Sequence, residues 1–211
     1  MSRSLPLFPL NIVAFPGEKL NLHIFESRYK KLITDCLEQD AAFGMPSFLN
    51  NAVTSYGTKI KVLTVENTYA KGELDIKTQG TRVFRIIEFF RQLPGKPYAG
   101  AEVEEVEDID DEDPAVKQKL FSALEELYLA LRVSSLYKIP SANFRAFDIG
   151  HHIGLSVTQE YQLLQLTRES ERQQLLLQHL QRIMPVILET ERLKERINQN
   201  GHFKHLQPPN F

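Results

Sequence analysis

Along the first hundred residues the apolar positions come in short runs broken by proline and glycine, and after residue 114 they recur every three or four positions. The first pattern predicts strands and the second helices. The opening run Leu5-Pro6-Leu7-Phe8-Pro9-Leu10, followed by Phe15-Pro16-Gly17, contains three prolines. Each fixes φ and removes a donor, so this stretch reads as a sheet edge or an irregular lead-in. Strands are predicted over 59–65, 73–78, 82–89 and 99–106, where Val, Ile and Phe are common. The turn residues Gly72, Gly80 and Pro94-Gly95 fall between them. One helix interrupts this half, over 25–39, with Tyr29, Leu32, Ile33 and Cys36 forming an apolar stripe. Short strands spaced by about ten residues suit a barrel or sandwich better than a parallel sheet.

The helical half begins at Asp113-Pro114, an N-cap followed by proline at the first helical position. Phe121, Leu124, Tyr128 and Leu131 fall on one face of that helix. Ser141 is a candidate cap for a short segment ending near Phe147, and Gly150 and Gly154 break the pattern after it. Ser156 with Gln159, and Ser170 with Gln173, match the capping-box spacing and mark two more helix starts. The last helix turns Leu176, Leu180, Ile183 and Ile187 inward, is expected to kink at Pro185, and stops near Asn200-Gly201. The acidic stretch 102–113 reads as part strand and part solvated connection. The expected division is a β domain over 1–112, a helical bundle over 113–200 and an irregular tail over 201–211.

Composition narrows the function classes. The 211 residues, 42% hydrophobic and 25% charged, suffice for a buried core. A net charge of −2 gives no general attraction to nucleic acid or anionic lipid. Cys36 is the single cysteine, which rules out an internal disulfide and fits a reducing compartment. Arg3 and the apolar run after it look superficially like a signal peptide. Three prolines and Asn11 interrupt that run, no small-residue cleavage site follows, and Glu18-Lys19 come next. No apolar stretch approaches a membrane span. A cytoplasmic protein is expected.

The motifs of the common catalytic folds are missing: there is no phosphate loop, H-E-x-x-H, G-x-S-x-G or G-x-G-x-x-G. Ser135-Leu136-Tyr137-Lys138 matches S-x-x-K without the companion elements of that chemistry, so Ser135 reads as a helix-end hydroxyl. Adjacent His151 and His152 would diverge by roughly 100° on a helix, and His202 and His205 would need a helical tail to share a face. No cofactor and no metal site is expected. Glu26 and Arg28 read as a local anchor of the helix that begins beside them.

The order of residues carries more than their composition. Pro9-Leu10, Phe15-Pro16-Gly17, Leu20, Leu22, Ile24-Phe25-Glu26 and Arg28-Tyr29 together resemble the opening of the N-terminal domain of the Lon ATP-dependent proteases. Further matches stand at Phe43-Gly44, Gly57-Thr58, Gly72, Gly80-Thr81-Arg82 with Phe84, and Pro97-Tyr98. The helical half resembles the family more loosely, at Phe147-Asp148-Ile149, Leu155-Ser156 and Leu163-Leu164-Gln165. Lys71-Gly72 departs from the Asp-Gly usual in the family's hairpin. The resemblance implies an α+β protein: a PUA-like β-barrel with one or two helices, then a C-terminal α-helical bundle. It also implies a stand-alone member, because the family's motor and protease domains would lie beyond Phe211.

From this follows a non-enzymatic module that binds unfolded polypeptide or one dedicated protein partner, with no membrane contact. An RNA-binding PUA-like protein is the alternative, opposed by the absence of a Lys/Arg-rich strip on any strand. An independent hydrolase ranks third, because the motifs of the common catalytic folds are missing. Oligomeric state is left open. Two places combine aromatics with an arginine, as interface cores do: Phe25, Arg28 and Tyr29, and the group Phe144, Arg145 and Phe147.

Overall fold

Two long antiparallel strands, β4 (Ala52–Thr68) and β5 (Leu74–Phe90), form the spine of the N-terminal half. They are seen in a computed structural model that describes residues 4–132 and 143–201. At 17 residues each, they are far longer than the short strands expected. The expected break at Gly80 does not occur. Lys59 faces Arg82 while Ile60 faces Gly80, so Thr81 is bulged out and β5 bends where a turn was expected. Gly80 is required for a different reason, since a Cβ there would run into the Phe15 carbonyl oxygen.

The bend lets β5 serve two neighbours. Its first part pairs with β2 (Lys19–Ile24) and its last part with β6 (Gly100–Glu105). Along β2, Leu20, Leu22 and Ile24 alternate with exposed Asn21 and His23, a period-two pattern that sequence reading passed over. β3 (Phe43–Leu49) flanks β4, and a register shift falls between Pro46 and Phe48. The six strands make one curled antiparallel sheet, in which the short β1 (Leu5–Pro6) pairs with β6.

The proline-rich run bridges the two ends of this curled sheet. The Leu7 amide donates to Ala99 beside β6, whereas those of Phe8 and Leu10 donate to Gly44 and Pro46 of β3. Leu7 and Leu10 make parallel bridges to Gly44 and Ser47. Pro6 and Pro9, which have no N–H to give, occupy the remaining positions.

Inside the curl lies a core of Phe8, Ile24, Leu32, Ile33, Phe43, Ile60, Ile76 and Tyr98, capped by α1 (Ser27–Glu38). Glu26 occupies the N-cap of α1 but its side chain makes no capping bond; it pairs with Arg28 at 2.8 Å at the surface.

The helices are α2 (Pro114–Ala130), α3 (Ala146–Ile149) with a 3₁₀ turn at Gly150–His152, α4 (Val157–Gln165) and α5 (Glu169–Gly201). Asp113 caps α2 by accepting from the Ala115 and Val116 amides, and Ser156 with Gln159 forms the expected capping box. Ser170 does not cap. It lies inside the first turn of α5, where its hydroxyl donates to Asp111 at 3.0 Å. Gln173 instead accepts from the Asp113 amide. Leu131 lies outside the buried face of α2, and α5 runs through Pro185 without ending.

A separate helical bundle is not what the packing gives. The apolar faces of α2, α4 and α5 close on one cluster with Val13, Phe15 and Val83 of the sheet half. The reason is that Phe15 points away from the curl, stacking on Phe147 at 5.1 Å. The acidic connection is also more than solvated chain. Asp108 pairs with Arg172 at 2.6 Å, Asp111 with Arg168 at 2.7 Å, and Ile109 exchanges backbone bonds with Thr167 and Glu169. No helix among the described residues is long and apolar enough to cross a membrane. Ser135 with Lys138, Ser141, and the tail with His202, Phe203, His205 and Phe211 lie outside the described residues.

Gly17 turns the chain into β2 at φ 85°, with open space where a Cβ would stand. Strain there comes from backbone conformation alone, so Gly17→Val is expected to cost about 1–3 kcal/mol. Thermal melts of both proteins check this, and equal midpoints would contradict it.

Candidate functional site

Where the proline-rich run crosses the sheet it leaves a groove of about 620 Å³. Pro9, Leu10 and Asn11 form one wall, and α1 contributes Arg28 and Tyr29. Phe48 and Val53 come from the β3–β4 hairpin, and Phe89, Arg91, Pro97 and Ala99 from the end of β5 and the loop to β6. The hairpin turns tightly at Asn50 and Asn51, both at positive φ (51° and 60°), with Leu49 facing Ala52. Two-residue turns of this hand favour asparagine, and they hold Phe48 and Val53 at fixed positions on the groove wall. Phe89 faces Ala101 across the β5–β6 ladder.

Aromatic and aliphatic side chains share the groove with Asn11 and two arginines. Phe48 is 38% exposed and Phe89 41% exposed, while Tyr29 is 8% exposed and packs its ring 4.0 Å from Phe8. Burial pushes the Tyr29 phenol up, against the pull of Arg28. Tyr29 is therefore a neutral aromatic at working pH. The Arg28 guanidinium lies 4.4 Å from the centre of that ring. No carboxylate is among the lining residues.

The structure thus separates the residues singled out in the sequence. Arg28 and Tyr29 share the groove. Phe25 does not line it: its 61%-exposed ring stacks beside His23, near Tyr69. Phe144 and Phe147 are buried, because their neighbourhood is the core that joins sheet to helices. Phe144 stacks on Phe121, and Phe147 lies between Phe15 and Arg172. Arg145 pairs with Asp108 at 3.3 Å. As they stand, those two rings offer no surface to a partner. Sequence reading missed Phe48, Val53, Phe89 and Arg91; the Asn50-Asn51 turn was the available signal for the first two.

Two other clusters gather charged side chains. Beside a second cavity of about 440 Å³, Asp35 accepts from Tyr98 at 2.6 Å and pairs with Lys31 and Lys96, both at 2.8 Å. Burial would raise its carboxyl, yet these three donors hold it well below the usual carboxylate range. Neighbouring Cys36 is buried, and burial with the Asp35 charge pushes its thiol up to about 11, so it is no ready nucleophile. At the sheet–helix junction, His151 stands between Glu18 and Glu160. Among the described residues no group of three or more His, Cys, Asp or Glu side chains could hold a metal.

Comparison with known proteins agrees with this architecture. The family model of the ATP-dependent protease La (LON) substrate-binding domain matches residues 4–199. The crystal structure of a Lon N-terminal domain protein from Xanthomonas campestris is 30% identical, with a TM-score of 0.66. That match covers 83% of this chain and 97% of the other. The N-terminal domain of a Mycobacterium avium complex Lon protease matches at 19% identity and a TM-score of 0.65, over 85% and 98% of the two chains. At that identity it speaks for the fold alone.

Proposed function

Since the chain belongs to the Lon substrate-binding domain family, we propose that it is a non-enzymatic module that holds unfolded polypeptide segments in the groove between the proline-rich run, α1 and the β3–β4 hairpin. The observation that carries this is a concave surface that sets two half-exposed phenylalanines and a buried tyrosine beside two arginines. Aromatic anchors beside arginine are the composition that supplies most binding energy at protein interfaces. Residues 1–112 form the binding unit in this reading, and 113–200 brace it. The brace would keep the sheet's curl fixed, so that the groove is formed before a ligand arrives.

Phe48→Ser and Phe89→Ser together test the site. Phe48 is 38% and Phe89 41% exposed, so the change costs some stability, and binding is compared at a temperature where circular dichroism shows both proteins folded. Affinity for a labelled, permanently unfolded protein should fall by roughly tenfold or more, at about 1–2 kcal/mol for each anchor. Unchanged affinity, measured by anisotropy on the full chain, would contradict the assignment.

A further inference from the structure

Resting on that polypeptide-binding reading, we infer that the groove selects segments that carry a carboxylate beside a large apolar residue, and that Arg91 reads the carboxylate. Arg28, Arg82 and Arg85 each already hold a carboxylate, on Glu26, Glu105 and Glu104. Arg91 is exposed, lines the groove, and among the described residues it makes no ion pair or hydrogen bond. The whole chain is slightly acidic at −2, yet this groove carries two guanidinium groups and no acidic lining residue. Arg28 is balanced by Glu26, so the lining keeps one unpaired positive charge, that of Arg91.

The chemistry of the occupant follows from that contrast. An apolar side chain seated against Phe48 and Phe89 loses water without gaining specificity, since any large hydrophobe serves. A carboxylate next to it meets a guanidinium whose planar donors match its two oxygens. A basic residue there meets repulsion from the unpaired Arg91, which adds discrimination against cationic segments. The carboxylate can come from an Asp or Glu side chain or from a free chain terminus.

Fluorescence anisotropy with the full chain and labelled peptides sharing one Leu-Phe core tests this. The pairs are Asp against Asn beside the core, and free against amidated C-terminus. At low ionic strength at least one acidic member is expected to bind roughly three- to tenfold tighter than its neutral partner, the gain of one exposed charge-assisted contact. Which pair shows the gain identifies the source of the carboxylate. Arg91→Gln should bring that ratio close to one, whereas Lys194→Gln, the same charge change on α5, should leave it intact. Equal affinities for acidic and neutral peptides, with binding still sensitive to Phe48→Ser, would overturn this inference alone. So would a preference that survives Arg91→Gln. Failure of every peptide to bind would overturn the groove reading and this inference with it.

Discussion

Arg172→Met is expected to lower the unfolding free energy by about 3–5 kcal/mol, the usual cost of removing one partner from a buried ion pair. Arg172 is 1% exposed. Its Nε and Nη2 donate to the Leu166 carbonyl at 3.1 and 2.8 Å, and Nη1 donates to Asp108 at 2.6 Å and Glu169 at 3.2 Å. The guanidinium also lies 4.2 Å from the centre of the Phe147 ring. One side chain therefore ties the acidic connection, the end of α4, the start of α5 and the α3 aromatic together. Without it, buried Glu169 keeps the Ala146 amide at 2.7 Å and a long contact to Arg145 at 3.7 Å. Burial already pushes the Glu169 carboxyl up, against those bonds. Adding Glu169→Gln to Arg172→Met should therefore cost less than the sum of the single changes. Urea denaturation of the four proteins measures this; a loss below about 1 kcal/mol for Arg172→Met would contradict the account.

A second large effect is expected at His151, where stability should depend on pH. Its Nδ1 lies 2.8 Å from Glu160 and its Nε2 3.2 Å from Glu18, and the ring packs 4.6 Å from Phe15. Two carboxylates on two ring nitrogens require both nitrogens to carry protons. Burial alone would lower this pKa, but the bonds to Glu18 and Glu160 raise it from 6.5 to about 9. A raised pKa means the folded state binds the proton more tightly. The contribution is thus complete below about pH 6.5 and fades as pH rises towards and through 9, for a total of about 2–3 kcal/mol. His151→Gln should remove most of that slope between pH 6.5 and 9.5. Parent and variant with parallel stability profiles over that range would show that the bracket contributes nothing.

The parts of the fold that were legible in the sequence are those written locally. Asp113 with Pro114, Ser156 with Gln159, and the α1 stripe of Tyr29, Leu32, Ile33 and Cys36 each involve residues within one or two turns. What was misread depends on distant partners. Gly80 looked like a turn because its true constraint, the Phe15 carbonyl, lies 65 positions away in the chain. Ser170 looked like a cap because nothing local shows that Asp111 bonds its hydroxyl and amide. The candidate site divides in the same way. Arg28 and Tyr29 stand in a recognisable motif, but Phe48, Phe89 and Arg91 belong to stretches that only the curl of the sheet brings together with them. Phe144 and Phe147 illustrate the opposite error. An aromatic pair around an arginine has the composition of an interface, and composition cannot tell an interface from the core that joins two parts of one chain.

The most direct test of the central claim, that this is a polypeptide-binding module, compares two labelled ligands at low and moderate salt: an unfolded protein and a single-stranded RNA. Apolar burial in the groove predicts saturable binding of the unfolded protein that changes by no more than a few fold between the two salts. It also predicts no tight RNA complex, because the strand cations Lys59, Lys77, Arg82 and Arg85 are already paired with carboxylates. Tight RNA binding that falls steeply with salt, with no binding of the unfolded protein, would contradict the claim.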